Sequence, residues 1–276
     1  MSDKVFPHCE LPIRRARFEL AAAGGRWPRY KGFLLHGALG VALWRLSPPA
    51  FAALYGAQAE GEAGRLWLLR PPLDECESWL EGSRFSCEIV GMGALTAHLP
   101  VCEAALALVG REGLGGGAAR FEVLDCETTT MTVAEILRAP TAVSVEAPAL
   151  RLLTPLRLKQ GERYLHEPPS MHLLMRRLFA RLSLLARQAG MATDFDWKPW
   201  LAAADAVALD GFRLAWVEWP RYSARQRAEM VLGGLQGELL LSGDLAPWLP
   251  WLRLLEALHL GGKTTFGFGR VEVAVK

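Results

Sequence analysis

The stretch His259–Arg270, HLGGKTTFGFGR, decides how the rest of the chain is read. An apolar helical pattern from Trp248 to Leu258 precedes it, and the alternating Phe266, Phe268, Val271, Val273 and Val275 follow, so the order is helix, glycine loop, C-terminal strand. Gly261, Gly262, Gly267 and Gly269 permit positive φ and close backbone approach, Lys263 adds a charge, and Thr264 and Thr265 add hydroxyls. Such a loop suits a phosphate. The Gly-x-x-x-x-Gly-Lys-Ser/Thr spacing is absent and the GFG opens a strand, not a helix, which argues against a mononucleotide P-loop. The competing reading is a tight helix-to-strand turn packed under a neighbour.

Upstream of that loop, the same alternation of elements occurs twice. Ile13–Ala21 alternates as a strand, with Arg15 and Arg17 on one face and Ala16, Phe18 and Leu20 on the other. A helix follows over Phe33–Trp44, entered through Arg26, Arg29, Tyr30 and Lys31; strands are predicted at 65–71 and 84–93, a helix at 99–109, and a strand at 119–127. Glu127–Pro148 reads as a connector. The pattern then restarts with a strand at 150–159, a helix from the N-cap Ser170 to Gly190, a helical piece at 199–208, strands at 212–220 and 237–244, the helix at 248–258 and the last strand. This repetition predicts an α+β chain of two tandem ferredoxin-like (βαββαβ) domains, 1–145 and 146–276, the second with an arginine-rich helical insertion at about 166–210.

The 276 residues are enough for two cores, and the apolar runs are broken before the roughly 20 residues of a membrane span. No secretory signal follows the N-terminal MSDKVFPHCE, so the expectation is a cytoplasmic protein without a membrane partner. Cys9, Cys76, Cys87, Cys102 and Cys126 form no C-x-x-C pair and read as buried thiols. Net charge is only +2, but the basic residues are mostly arginine and clustered, which favours phosphate and base contacts. Arg176, Arg177, Arg181 and Arg187 share the 170–189 helix, and Arg221, Arg225 and Arg227 share the basic segment RYSARQR. Both clusters read as RNA-backbone grips, the alternative being a solvated helix face.

YKGFLLHGALG, GLGGGAARFEV, TPLRL, RYSARQRAEMVLGGLQGELLLSG and LHLGGKTTFGFGR, in that order, resemble the CRISPR-associated precursor-RNA processing endoribonucleases of the repeat-associated mysterious protein (RAMP) superfamily. The resemblance spans nearly the whole chain. It implies a double ferredoxin-like fold that binds the CRISPR repeat RNA hairpin, cuts precursor crRNA without metal or other cofactor, and keeps the product alongside other effector-complex subunits. Where many relatives carry cysteine pairs after the first helix this chain has LSPPAFAALYG, which points to the compact processing subunit of type IV systems.

Cutting RNA without metal requires a base for the 2'-hydroxyl, an acid for the 5'-oxygen and cations around the phosphorane. His36, one to two helical turns past Arg29-Tyr30-Lys31 and placed where the resemblance implies a functional histidine, is the acid/base candidate; a buried helix histidine is the alternative. Tyr30 is a candidate to orient or donate a proton, and Lys31 or Arg29 to hold the phosphate. His8, His166, His172 and His259 are lesser candidates. No metal site is expected, because the acids are dispersed and the nearest pair, Asp194 and Asp196, has a loop spacing. The competing function is a catalytically inactive RNA-binding RAMP subunit of a CRISPR effector complex.

Overall fold

The computed structural model describes residues 10–56, 65–115, 119–140, 149–191, 195–223 and 228–274. Strand β1 (Pro12–Arg26) pairs antiparallel with both β3 (Ser78–Met92) and β4 (Ala119–Thr132), and β2 (Trp67–Arg70) adds to the far edge of β3, giving the order β2-β3-β1-β4. Strand alternation sends Ala16, Phe18 and Leu20 to one face. There they meet Leu35, Leu39 and Leu43 of α1 (Gly32–Leu46) and Cys102, Leu106 and Val109 of α3 (Leu99–Glu112), spaced three or four apart as one helical stripe requires. Each leucine so buried contributes about 1.5–3 kcal/mol. A short α2 (Pro48–Tyr55), N-capped by the Ser47 hydroxyl, packs on α1.

The second sheet has the order β10-β5-β9-β8, from β5 (Ala149–Leu156), β8 (Ala208–Ser223), β9 (Ala228–Ser242) and β10 (Val271–Ala274). Counted within its own unit, each sheet runs 4-1-3-2, the ferredoxin-like arrangement, so the α+β expectation of two tandem units holds. Helices α5 (Met171–Gln188) and α7 (Leu249–Leu258) cover one face, and α6 (Lys198–Ala204) lies beside α5. Between β5 and α5 the chain makes a small hairpin, β6 (Lys159–Gln160) and β7 (Arg163–Tyr164). The Ser170 N-cap is as expected, its hydroxyl accepting from Leu173 N–H.

Several segments differ from the sequence reading, each for a local reason. The arginine helix is not only a charged face: Leu174, Leu178, Phe179, Leu182 and Leu185 are buried along it, and its stripe overrides its charges. Residues 127–138 are not connector, because the β-branched run Thr128–Thr130 extends β4 along β1 and Thr132 with Glu135 forms a capping box for α4 (Val133–Arg138). The helical stretch Gly93–Glu112 is long and apolar enough for a membrane span, contrary to the run-length reading, yet its Leu95, Leu99, Leu106 and Val109 pack on the first sheet. Cys76 is exposed, while Cys87 and Cys102 are buried and held up near 12 by loss of solvation.

The units meet along an apolar seam in which Leu11, Ile13, Leu68, Val90 and Met92 of the first join α5 and α7 of the second. Arg70 bolts it. Its Nη1 donates to Glu88 at 2.9 Å, its Nη2 to the Glu256 carbonyl at 2.7 Å and its Nε to His259 Nε2 at 3.2 Å.

Candidate active site and nucleic-acid interface

The glycine loop is wound against the seam by its own backbone. Gly262 N–H donates to Arg157 O at 2.9 Å, Gly269 N–H to Pro155 O at 3.0 Å, and the Thr154 hydroxyl donates to Gly267 O at 2.7 Å while accepting from Arg270 N–H. Gly267 (φ 93°) and Gly269 (φ 70°) are left-handed, and a Cβ on Gly269 would stand 1.8 Å from Leu260 O. Lys263 is itself left-handed at φ 69° without being glycine. The glycines thus have a structural reason that precedes any ligand. The Thr264 hydroxyl is buried without a hydrogen-bond partner, and Thr265 is half-buried.

This loop projects Phe266 against α1. The first turn of α1 comes so close that a Cβ on Gly32 would lie 2.0 Å from Phe266 O. His36, one turn along, is boxed by aromatic rings: Phe266 at 4.3 Å, Tyr55 at 4.8 Å and Trp67 parallel at 5.5 Å and 12°. Tyr55 hydroxyl donates to His36 O and Trp67 Nε1 to Leu54 O, fixing two walls of the box. Cations ring it. The Arg221 guanidinium lies 4.3 Å from the Phe266 ring and Lys263 Nζ 6.0 Å from it. Burial first, then the charges of Arg221, Arg65 and Lys263, push the His36 imidazole down to about 3. The imidazole is therefore neutral at pH 7, with the charges of Arg221, Arg65 and Lys263 acting on it.

The other candidates fall apart into groups. Lys31 does not reach a phosphate: it is fully buried, with Nζ on Asp74 O at 2.8 Å, Cys76 O at 3.0 Å and Asp74 Oδ1 at 3.0 Å. Apolar walls and a carboxylate claim that charge because burying an ammonium demands full pairing. Tyr30 donates its hydroxyl to Phe266 O at 2.8 Å and stacks on Trp219 at 5.6 Å, with its own ionisation pushed up by burial; it fixes the loop and has no proton to offer elsewhere in this geometry. Arg29 pairs with Glu75 and lies over Trp219, while Arg26 is exposed at the end of β1. Arg176 and Arg187 are exposed and Arg177 half-buried, but Arg181 is buried, faces Arg65 O at 3.4 Å and has its pKa lowered to about 10 by desolvation. Arg181 therefore leaves the RNA-grip set. Arg225, Arg227, His8 and Asp194 lie outside the described residues.

His259 is buried, and because Arg70 can only donate to its Nε2, Nδ1 carries the proton given to Phe268 O at 3.1 Å. His172 pairs with Asp205 at 2.9 Å, and Asp196 accepts from Lys198 N–H. Among the described residues, no three His, Cys, Asp or Glu side chains converge as a metal site. Arg65, Tyr55, Trp67 and Phe266 complete the His36 box, and sequence reasoning missed them as site residues. Arg65 and Trp67 sit in RLWLLR, whose sequence signal is that of a strand, and Phe266 reads in sequence as strand alternation.

Two ferredoxin-like units with a glycine loop pressed on the first helix make a double ferredoxin-like fold. Residues 150–271 match the family described as CRISPR-associated endoribonuclease Cas6. A Cas6 product complex shares 20% identity at TM-score 0.64, covering 95% of this chain and 100% of that one. The Cas6 of Thermus thermophilus gives 18% and 0.61 over 95% and 98%, and an RAMP protein binding different RNA substrates gives 14% and 0.53 over 95% and 99%. No curated protein matches the chain. At these identities the solved structures bear on the fold, and with the family match they bear out the resemblance to CRISPR-associated endoribonucleases of the RAMP superfamily.

Proposed function

We propose that this protein is a metal-independent endoribonuclease that binds the CRISPR repeat hairpin and processes precursor crRNA. The carrying observation is the neutral His36 held in an aromatic box among Arg221, Arg65 and Lys263. The scissile phosphate binds among these cations. Neutral His36 takes the 2'-hydroxyl proton, the 2'-oxygen bonds to phosphorus, and the P–O5' bond breaks; water protonates the leaving 5'-oxygen, and His36 returns its proton to solvent, leaving a 2',3'-cyclic phosphate and a 5'-hydroxyl. Arg221 and Lys263 stabilise the charge that develops on the phosphorane. The bound phosphate offsets the repulsion that lowers the His36 pKa, so the imidazolium formed is easier to hold in the complex than in the free protein. Arg176, Arg177 and Arg187 grip the hairpin backbone, the mature crRNA stays bound, and other CRISPR subunits assemble on the product; a solved complex of the same fold is a partial Cas6-RT-Cas1–Cas2 complex.

The test is cleavage of the cognate repeat RNA by purified protein in EDTA, with the ends identified, beside His36→Ala in single turnover. Cyclic-phosphate ends in EDTA and a slowing on the order of a hundredfold or more at unchanged affinity are expected. Tight binding without cutting by the wild type would instead identify an RNA-binding RAMP subunit.

A further inference from the structure

The small hairpin β6–β7 and the segment after it gather a set of side chains that the glycine-loop site does not use. The Arg157 guanidinium lies 3.8 Å from the Tyr164 ring and Lys159 Nζ 5.4 Å from it. His166, exposed, stacks on Trp216 at 4.0 Å and 25°, and Tyr164 stands 6.4 Å from the same indole. Lys159 and Arg163 are exposed. Among the described residues, none of Arg157, Lys159, Arg163 and Arg177 has a carboxylate in ion-pair range, whereas Arg17, Arg29, Arg45, Arg70 and Arg151 each have one. Glu162 and Glu167 on the same segment are exposed, and Glu218 accepts from Trp216 Nε1 at 3.0 Å.

Cations without carboxylate partners, interleaved with aromatic faces, are the chemistry that takes up single strands, because unstacked bases have free π-faces and carry a phosphate at every step. A duplex keeps its bases stacked on one another and cannot offer those faces. The patch adjoins the first site through one residue: Arg157 O accepts from Gly262 N–H, and Arg157 Nη1 donates to Gly233 O at 2.8 Å. The geometry points to a second RNA subsite here, in which unpaired nucleotides flanking the hairpin stack on His166 and Tyr164 while Lys159 and Arg163 hold their phosphates. It rests on the RNA-processing reading and adds to it a site for the single-stranded flank.

Two synthetic RNAs test it, the repeat hairpin with its unpaired flank and the same hairpin trimmed to the stem, titrated against wild type, His166→Ala/Tyr164→Ala, Lys159→Ala/Arg163→Ala and His166→Phe/Tyr164→Phe. The wild type should bind the flanked RNA at least tenfold more tightly, and the alanine aromatic pair should erase that advantage while leaving the trimmed hairpin unchanged. The phenylalanine pair, which keeps the rings, should restore it. The lysine–arginine pair should flatten the log–log salt slope for the flanked RNA alone, by about 0.7 for each phosphate no longer neutralised. Equal affinity of wild type for the two RNAs overturns the subsite and leaves the processing reading standing, as does an equal loss on both in the alanine pair. Failure of the wild type to bind either RNA overturns both.

Discussion

His36→Asn changes how the fold responds to acid, by an amount that follows from the imidazole's setting. In the folded protein burial and three cations hold it down to about 3, against about 6.5 in an unfolded chain. A depressed histidine gives stability that is whole above its unfolded pKa and is lost as pH falls below it toward the folded value, because only the unfolded chain takes up the proton. Between pH 7 and pH 5 that loss is about 2 kcal/mol for this one group. His259, also held low by burial and by Arg70, loses stability in the same direction, but it is present in both proteins and cancels in their difference. In urea melts at pH 7, 6 and 5, the stability of wild type minus that of His36→Asn should therefore fall by about 2 kcal/mol as pH falls, whatever its value at pH 7. Parallel pH profiles would mean that His36 titrates as a solvated histidine, and the electropositive box would lose its main support. Adding a non-cleavable repeat RNA should lessen the effect, since its phosphate opposes the same cations.

Three further outcomes separate scaffold from contact. Lys31→Met should cost about 2–3 kcal/mol in chemical denaturation, for the charged hydrogen bonds it removes, without changing the salt dependence of RNA binding; a flatter salt slope would return Lys31 to the phosphate. Arg176→Ala with Arg187→Ala should weaken hairpin binding and flatten the salt slope by up to about 0.9 per phosphate, whereas Arg181→Ala should lower the melting temperature and leave the slope alone. Gly269→Ala should destabilise by at least the roughly 1–3 kcal/mol of a strained left-handed residue, read by thermal melting; wild-type stability would show that the loop relaxes freely around Leu260 O.

The fold was legible because it rests on periodicity. The alternation Ala16, Phe18, Leu20 and the three-to-four spacing along α1, α5 and α7 name their own faces, and their repetition gives two units. Thr128–Thr132 was not, because a threonine-rich run without hydrophobic alternation looks like a linker until a partner strand takes up its hydrogen bonds. At the candidate site, the basic entrance and the resemblance singled out His36, and the glycine loop was singled out by composition; the fold brings the two together through Phe266. The fate of the cations was not legible: Lys31, Arg181 and Arg221 look alike in sequence, and what separates them is whether tertiary packing supplies a carboxylate, a carbonyl or an open ring face. Trp67 and Phe266 were hidden for a similar reason, since an aromatic residue in a strand signals burial without saying what it is buried against.

Arg70 carries a consequence for the order in which the molecule becomes competent. Its guanidinium is made early in synthesis, yet two of the groups it holds, the Glu256 carbonyl and His259 Nε2, come 186 and 189 residues later. Until the last helix emerges and docks, His259 has no donor to set its tautomer, Phe268 O lacks the proton that His259 supplies, and Phe266 has no loop from which to close the box around His36. A partly made chain that already displays its first-unit arginines therefore displays them without the enclosure around His36. If the chain cuts RNA as proposed, topology alone withholds cutting from the nascent protein, and a chain broken anywhere between the two units should regain it only by reassembly of both pieces.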